Sequence, residues 1–179
     1  AQDPRSGRQD VWYVASGEYY GNSASGGGGA YYRGDGVYQS TDGGQTWTLL
    51  ASPSGSATQY DSNWDYTHAI AVDPTAATSG SDGTDSEVYA ATIGGVYRTI
   101  DGGSSWSFVL GGGSATWTDV EVTPSGNAYA ALSSDGTENG LFTSATGASG
   151  SWTEITPSGW PSSSFTRTVI SVNPSNENE

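Results

Sequence analysis

Two carboxylates recur in nearly the same setting: Asp42 in S-T-D-G-G-Q-T-W at 40–47 and Asp101 in T-I-D-G-G-S-S-W at 99–106. Carboxylates so placed could act as general acids or hold a metal. A second group of polar side chains stands among rings. Glu18, Asp35, Asp61 and Asp65 are interspersed with Tyr19, Tyr20, Tyr31, Tyr32, Tyr60, Trp64 and Tyr66, with Arg33 beside them. Trp160, Phe165 and Arg167 form a smaller cluster further on. Aromatic faces next to carboxylates and guanidinium groups suit stacking on a sugar ring or gripping a protein segment. Two carboxylates facing each other across a cleft would suit glycoside hydrolysis. Asp35, Asp61 and Asp65 are eligible for that role, and no motif selects a pair of them.

Several chemistries are disfavoured. The chain has no Cys, so it has no thiolate nucleophile. His68 is the one His and has no second His or Cys to share a metal, so a packed or hydrogen-bonded ring is expected. The acidic stretches S-D-G-T-D-S-E (81–87) and S-D-G-T-E-N-G (134–140) could offer Asp82, Asp85, Glu87, Asp135 and Glu138 to calcium, which takes oxygen ligands from loops. Neither has the D-x-[DN]-x-[DN]-G spacing, and solvated turns are the expectation, with no cofactor. Arg33-Gly34-Asp35 spells an adhesion tripeptide, but Gly34 is also what a turn into a strand wants. The run of four Gly at 26–29 is no phosphate cradle, because no helix follows it. A net charge of −14, with every basic residue an Arg, argues against nucleic acid and anionic lipid as partners. No apolar run is long enough to insert into a membrane as a helix.

The elements that must position these residues are strands. Seven Trp and eleven Tyr supply the large apolar surface, and frequent Gly marks turns. The stretch G-V-Y-Q-S-T-D-G-G-Q-T-W-T-L-L at 36–50 returns at 95–110 and, more altered, at 140–155. Upstream of each copy lies a short β-type segment: 11–16, 88–92 and 128–132. Another segment ends in a Pro turn, and Pro74, Pro124 and Pro174 are fifty residues apart, with A-Q-D-P closing at Pro4 as one more tail. Four short antiparallel strands in 40–50 residues is the unit of a β-propeller blade. The expected fold is therefore all-β. Blade 1 covers about 1–55 and lacks most of its first strand, blade 2 about 67–110 and blade 3 about 117–156; 167–179 would be the first strand of a next blade. Three blades are too few to close a ring. The expectation is part of a six- to eight-bladed propeller, completed by other blades of the same chain or by a second copy.

The repeated turn resembles the Asp-box, or BNR repeat, of sialidase-like, xyloglucanase-like and sortilin-like propellers. The match runs through Ser40, Asp42, Gly44, Thr46 and Trp47, and again through Thr99, Asp101, Gly103, Ser105 and Trp106. The third copy has Thr146 in place of the Asp and keeps Trp152. The resemblance implies that the box is a hairpin staple distant from any reacting centre. The residues agree with that role. A short carboxylate can accept N–H bonds of its own turn, the following glycines permit positive φ, and the Trp can bury its ring against a neighbouring sheet. The segments G-E-Y-Y-G-N and A-Y-Y-R-G-D-G also resemble secreted BNR-repeat surface proteins of Bacteroidetes, which implies a bacterial protein that is secreted or on the cell surface.

Strand alternation then sorts the loops into two faces. One carries the boxes and bland polar turns, including P-R-S-G-R-Q-D at 4–10. The other carries Tyr19, Tyr20, Tyr31, Tyr32, Arg33, Asp35, Tyr60, Asp61, Trp64, Asp65, Tyr66, Trp160 and Arg167. The expected function is a binding module that uses this second face for a glycan or a protein. The alternative is part of a glycoside hydrolase with its carboxylates on the same face. A sialidase-like arginine cluster cannot be assembled there, because only Arg33 and Arg167 are placed on it.

Overall fold

The computed structural model describes residues 1–21, 30–54, 58–77, 85–133, 139–161 and 167–177. Asp82, Asp135, Glu138, Phe165 and the side chain of Tyr20 lie outside the described residues. The chain runs β1 (Trp12–Ala15), β2 (Glu18–Gly21), β3 (Ala30–Tyr32), β4 (Gly36–Ser40) and β5 (Thr48–Ser54). It continues with β6 (Thr67–Val72), β7 (Val88–Thr92), β8 (Gly94–Thr99), β9 (Ser107–Ala115) and β10 (Trp117–Val122). It closes with β11 (Ala128–Ser133), β12 (Gly140–Ser144) and β13 (Thr153–Glu154). Three sheets follow one another as antiparallel meanders: β1-β4-β5, β6-β7-β8-β9 and β10-β11-β12-β13. A bridge between Gln2 and Trp12 gives the first sheet the stub of a fourth, inner strand. The 16–35 connection, expected as a loop, instead carries the hairpin β2–β3.

Side-chain alternation explains the stacking. All five residues of β7 are buried, so this strand has protein on both faces. Val88 and Ala90 face the first sheet, where they pack with Val11, Tyr13, Val37, Trp64 and Val72. Tyr89 and Ala91 face the third, with Val96, Val109, Val120, Ala130 and Leu132. Small Ala residues at the middle strands let successive sheets approach, and Tyr and Trp fill the wider outer gaps.

The inner strand ends converge. Pro4, Pro74, Pro124 and Pro174 line one cavity of about 340 Å³ together with Val72, Val122 and Val172. The fifty-residue spacing of Pro74, Pro124 and Pro174 in sequence has become adjacency round one cavity. Residues 167–177 occupy a fourth inner position, with Ile170 N donating to Asp119 Oδ2 at 2.8 Å. They form no strand among the described residues.

The P-R-S-G-R-Q-D segment is not the bland turn the sequence led us to expect. Arg5 is buried, bonds Asp3 through Nε (2.9 Å) and Nη2 (2.6 Å), and reaches Ala76 O and Ser86 Oγ on the second sheet. Arg8 pairs with Asp85. Burial pushes the Asp3 carboxyl up, but hydrogen bonds from Arg5 and Ser86 outweigh it and hold the group below its ordinary range. The N-terminus is thus tied across to the second sheet by buried charge.

Candidate functional site

Each repeated turn is closed by its own side chains. Asp42 accepts from Gln45 N and Thr46 N at 2.9 Å and from Thr46 Oγ1 at 2.6 Å, while Ser40 Oγ donates to it at 2.7 Å. Those bonds, the Thr46 hydroxyl first, take its carboxyl down to about 2. Asp101 repeats the pattern with Ser105 N (2.9 Å), Ser105 Oγ (2.6 Å) and Thr99 Oγ1 (2.7 Å). Such carboxylates are saturated acceptors and poor proton donors near neutral pH. The third turn, lacking the Asp, closes through Ser144 Oγ and Ser151 Oγ at 2.6 Å, and Ser151 Oγ donates to Ala148 O. Gly44 and Gly103 sit at φ 87° and 96°, which the tight turn requires. Trp106 and Trp152 are half-buried, and Trp106 meets Trp64 edge-on at 5.1 Å. Trp47, expected to bury its ring against a neighbouring sheet, is instead 41% exposed, with its Nε1 donating to Gly44 O at 3.0 Å.

Antiparallel order places the other connections at the opposite strand ends. There an aromatic cluster assembles from four chain segments. Tyr19 of β2 contacts Tyr31 of β3 at 5.2 Å, Tyr66 at 5.1 Å and Trp117 at 5.6 Å. Tyr60 stacks on Tyr66 at 5.9 Å. His68 lies 5.3 Å from Trp117, and the Arg167 guanidinium lies 6.0 Å from the Trp117 ring. Tyr66 is buried, whereas Tyr31 (46%), Tyr32 (53%) and Tyr60 (55%) present their rings to solvent. Arg33 and Asp61 are exposed on the same loops, and Trp160 is half-buried in a turn closed by its N–H to Pro157 O.

Two glycines make this assembly possible. Gly17 has φ 98°, and a Cβ on it would run into Asp65 O; a Cβ on Gly34 would run into the Ser16 backbone. Gly34 N donates to Asp65 O at 2.8 Å, which ties the hairpin neck to the 60–66 loop. Within Arg33-Gly34-Asp35 the glycine therefore serves packing. Asp35 accepts from Tyr38 OH (2.6 Å) and Ser16 Oγ (3.0 Å), which hold its carboxyl below the usual range.

Trp64 and Asp65 do not join the surface. Ser62 caps a short 3₁₀ turn, Asn63–Asp65, that points Trp64 inward to Tyr97 (4.6 Å) and Trp106, leaving it 6% exposed. Asp65 is fully buried and accepts from Asp61 N and Ser62 N at 2.9 Å. Its role is to cap its own turn. Neither Asp85 nor Glu87 is poised for calcium: Asp85 faces Arg8, and Glu87 accepts from Arg98 Nε (2.7 Å) and Tyr89 OH (2.5 Å). Among the described residues no group of three or more His, Cys, Asp or Glu is placed to hold a metal. Arg5, Arg8 and Arg98 are all in ion pairs, so the Arg residues left for the aromatic end are Arg33 and Arg167.

Two features escaped the sequence reading, and for a third, His68, it gave a packed or hydrogen-bonded ring but not its partners. Trp117, first residue of β10, is central to the cluster; only its place at the start of an inner strand pointed to it. His68 is held by Thr118, whose backbone N–H donates to Nδ1 at 3.4 Å and whose hydroxyl, 3.2 Å from Nδ1, donates to Thr92 O at 2.7 Å. Its Nε2 is buried without a hydrogen-bond partner among the described residues, and burial lowers the ring to about 4. Asp119 and Glu121, two apart on β10, face one way. Burial raises both, with Asp119 adding to the shift of Glu121.

Successive four-stranded meanders with their inner ends round one cavity make this chain part of a β-propeller. The solved enzyme described as Niastella koreensis GH74 (NkGH74) aligns with 70% of the chain at 22% identity and a TM-score of 0.50. The aligned part spans 18% of that enzyme's length. YCF48 bound to D1 peptide is a looser likeness, with 73% of this chain and 35% of that one at 21% identity and a TM-score of 0.37. No protein-family model and no curated protein matches the chain.

Proposed function

We propose that this chain is an Asp-box interaction module, secreted or held at a cell surface, whose aromatic end takes a glycan or a protein segment. The observation that carries the reading is the cluster itself. Five rings from four chain segments meet at one end, the inner ones locked by edge contacts, with Tyr31 and Tyr60 both exposed and both in contact with Tyr66. Rigid rings lose little entropy on contact and offer both a flat apolar face and a hydroxyl. Arg167 over Trp117 and Arg33 nearby add positive charge on a surface that is otherwise acidic. The hydrolase reading has less support, because Asp65 is fully buried and Asp35 is held by Tyr38 and Ser16.

Affinity electrophoresis through gels cast with xyloglucan or sialylated glycoprotein, with a reducing-end and free-sialate assay on the same mixtures, separates the two readings. The module should be retarded by a ligand without releasing sugar. Release that disappears in Asp61→Asn would instead support the hydrolase.

A further inference from the structure

Five arginines stand against nineteen acids in this chain, and three of the five are engaged inside the fold. Arg5 and Arg8 are buried with Asp3 and Asp85, and Arg98 is held by Glu87 at 2.7 Å. Arg33 and Arg167 are exposed and form no ion pair among the described residues. In so acidic a chain an unpaired cation is the exception. Both exceptions share one end of the molecule with the exposed tyrosines.

The Arg167 guanidinium lies 6.0 Å from the centroid of the Trp117 ring. A guanidinium held on an indole keeps its planar N–H fork available, and that fork matches a carboxylate at two points. Its neighbours leave the fork open. Asp119 accepts from Ile170 N through Oδ2 at 2.8 Å and from Val120 N through Oδ1 at 3.1 Å. Burial first, and the Arg167 charge second, keep the His68 ring neutral near pH 7, so the guanidinium is the cation a ligand meets there. From Trp117 the rings continue as a chain through Tyr19 (5.6 Å) and Tyr66 (5.1 Å) to Tyr60 (5.9 Å). Tyr60 stacks one face on Tyr66 and is 55% exposed, so its other face is a flat apolar platform. A ligand that reaches from Tyr60 to Arg167 is an oligomer with a C–H face at one end and an anion at the other. Its charge must be sparse, because exposed Glu18 and Asp61 stand on the same hairpin and loop and repel a dense polyanion.

We infer that the aromatic end takes a uronate-containing oligosaccharide, whose pyranose rings stack on the exposed tyrosines and whose carboxylate docks on the Arg167 fork. This rests on the reading of that end as a binding surface and narrows it to one class of glycan. A uronic acid joins the two required features in a single residue, a C–H face and a planar carboxylate. A peptide has to order separate side chains for the two, which costs conformational entropy.

Calorimetric titration of a linear galacturonate hexamer and of a neutral xyloglucan oligosaccharide, each against the natural chain, Arg167→Gln and Arg167→Lys, tests this. The natural chain should bind the uronate at least about tenfold more tightly than the neutral sugar, and added salt should weaken the uronate alone. Arg167→Gln should weaken the uronate by about tenfold or more, the loss expected when hydrogen bonds to a charged group are removed, and leave the neutral sugar unchanged. Arg167→Lys should recover only part, because a point charge lacks the fork. Arg167 is exposed, so both variants should melt with the natural chain. Equal affinity for the two sugars, or an Arg167→Gln variant that holds the uronate as well as the natural chain does, overturns the inference. So does tighter, Arg167-dependent binding of poly-glutamate or of sialyllactose than of the uronate, since the carboxylate would then come from a protein or from a different sugar. A neutral sugar that binds and is lost in Tyr31→Ala/Tyr60→Ala keeps the surface reading while the charge inference fails. Silence from every probe counts against both.

Discussion

His68 shows how one side chain links the inner strands to the aromatic end. Its ring is packed on Trp117 and accepts a hydrogen bond from Thr118 N, and burial lowers it from 6.5 to about 4. The unfolded chain therefore binds a proton that the folded one refuses between those values. Stability from this group is complete above about pH 6.5 and is lost as pH falls toward 4, by up to about 3 kcal/mol. Thermal melts of the natural chain should fall steeply over that window, and melts of His68→Gln should fall less; parallel curves would show that His68 is not the acid-sensitive group. The expectation of a packed, hydrogen-bonded His was legible because a lone His has no metal partner. Its environment was not, since contact with Thr118 depends on how two inner strands approach. The same limit applies to Trp64. Its place among tyrosines made it look like surface, and only the capped turn at Ser62 sends it inward.

At the scale of elements, the turns were the most legible part. Asp42 and Asp101 accept from their own turns because the spacing in D-G-G-x-[TS] brings the N–H and hydroxyl of its last residue to the carboxylate, and that is local chemistry. The third turn shows the limit of the pattern, since Ser144 and Ser151 replace the missing carboxylate with a contact that has no consensus. The β2–β3 hairpin was hidden by its Gly-rich middle, and its position depends on Gly17 and Gly34 at the neck. Gly17→Ala combines an unfavourable φ of 98° with a clash against Asp65 O and should cost about 2–4 kcal/mol. Gly150→Ala, at φ 78° with open space around it, should cost clearly less. Urea unfolding of both variants checks this, and equal losses would mean that the neck is not a tight junction.

For the whole molecule, periodicity carried the architecture: prolines fifty residues apart became neighbours round one cavity. Charge did not show its placement in the same way. Arg5 and Arg8 read as solvated residues of a polar turn, yet they are buried with Asp3 and Asp85, because Asp85 and Ser86, which meet them from about eighty residues away in sequence, cannot be matched without the fold. The aromatic end was legible as a set of loops that share one face, while its centre, Trp117, was not. What the molecule does depends on whether that end is a binding surface. The most direct measurement is a titration by calorimetry of whichever glycan or peptide an array screen returns, against the natural chain and Tyr31→Ala/Tyr60→Ala. Both rings are about half exposed, so the double variant should melt close to the natural chain. It should bind at least about tenfold more weakly, as expected when two aromatic anchors are removed. Unchanged affinity in that variant, or no ligand on either array, would contradict the account.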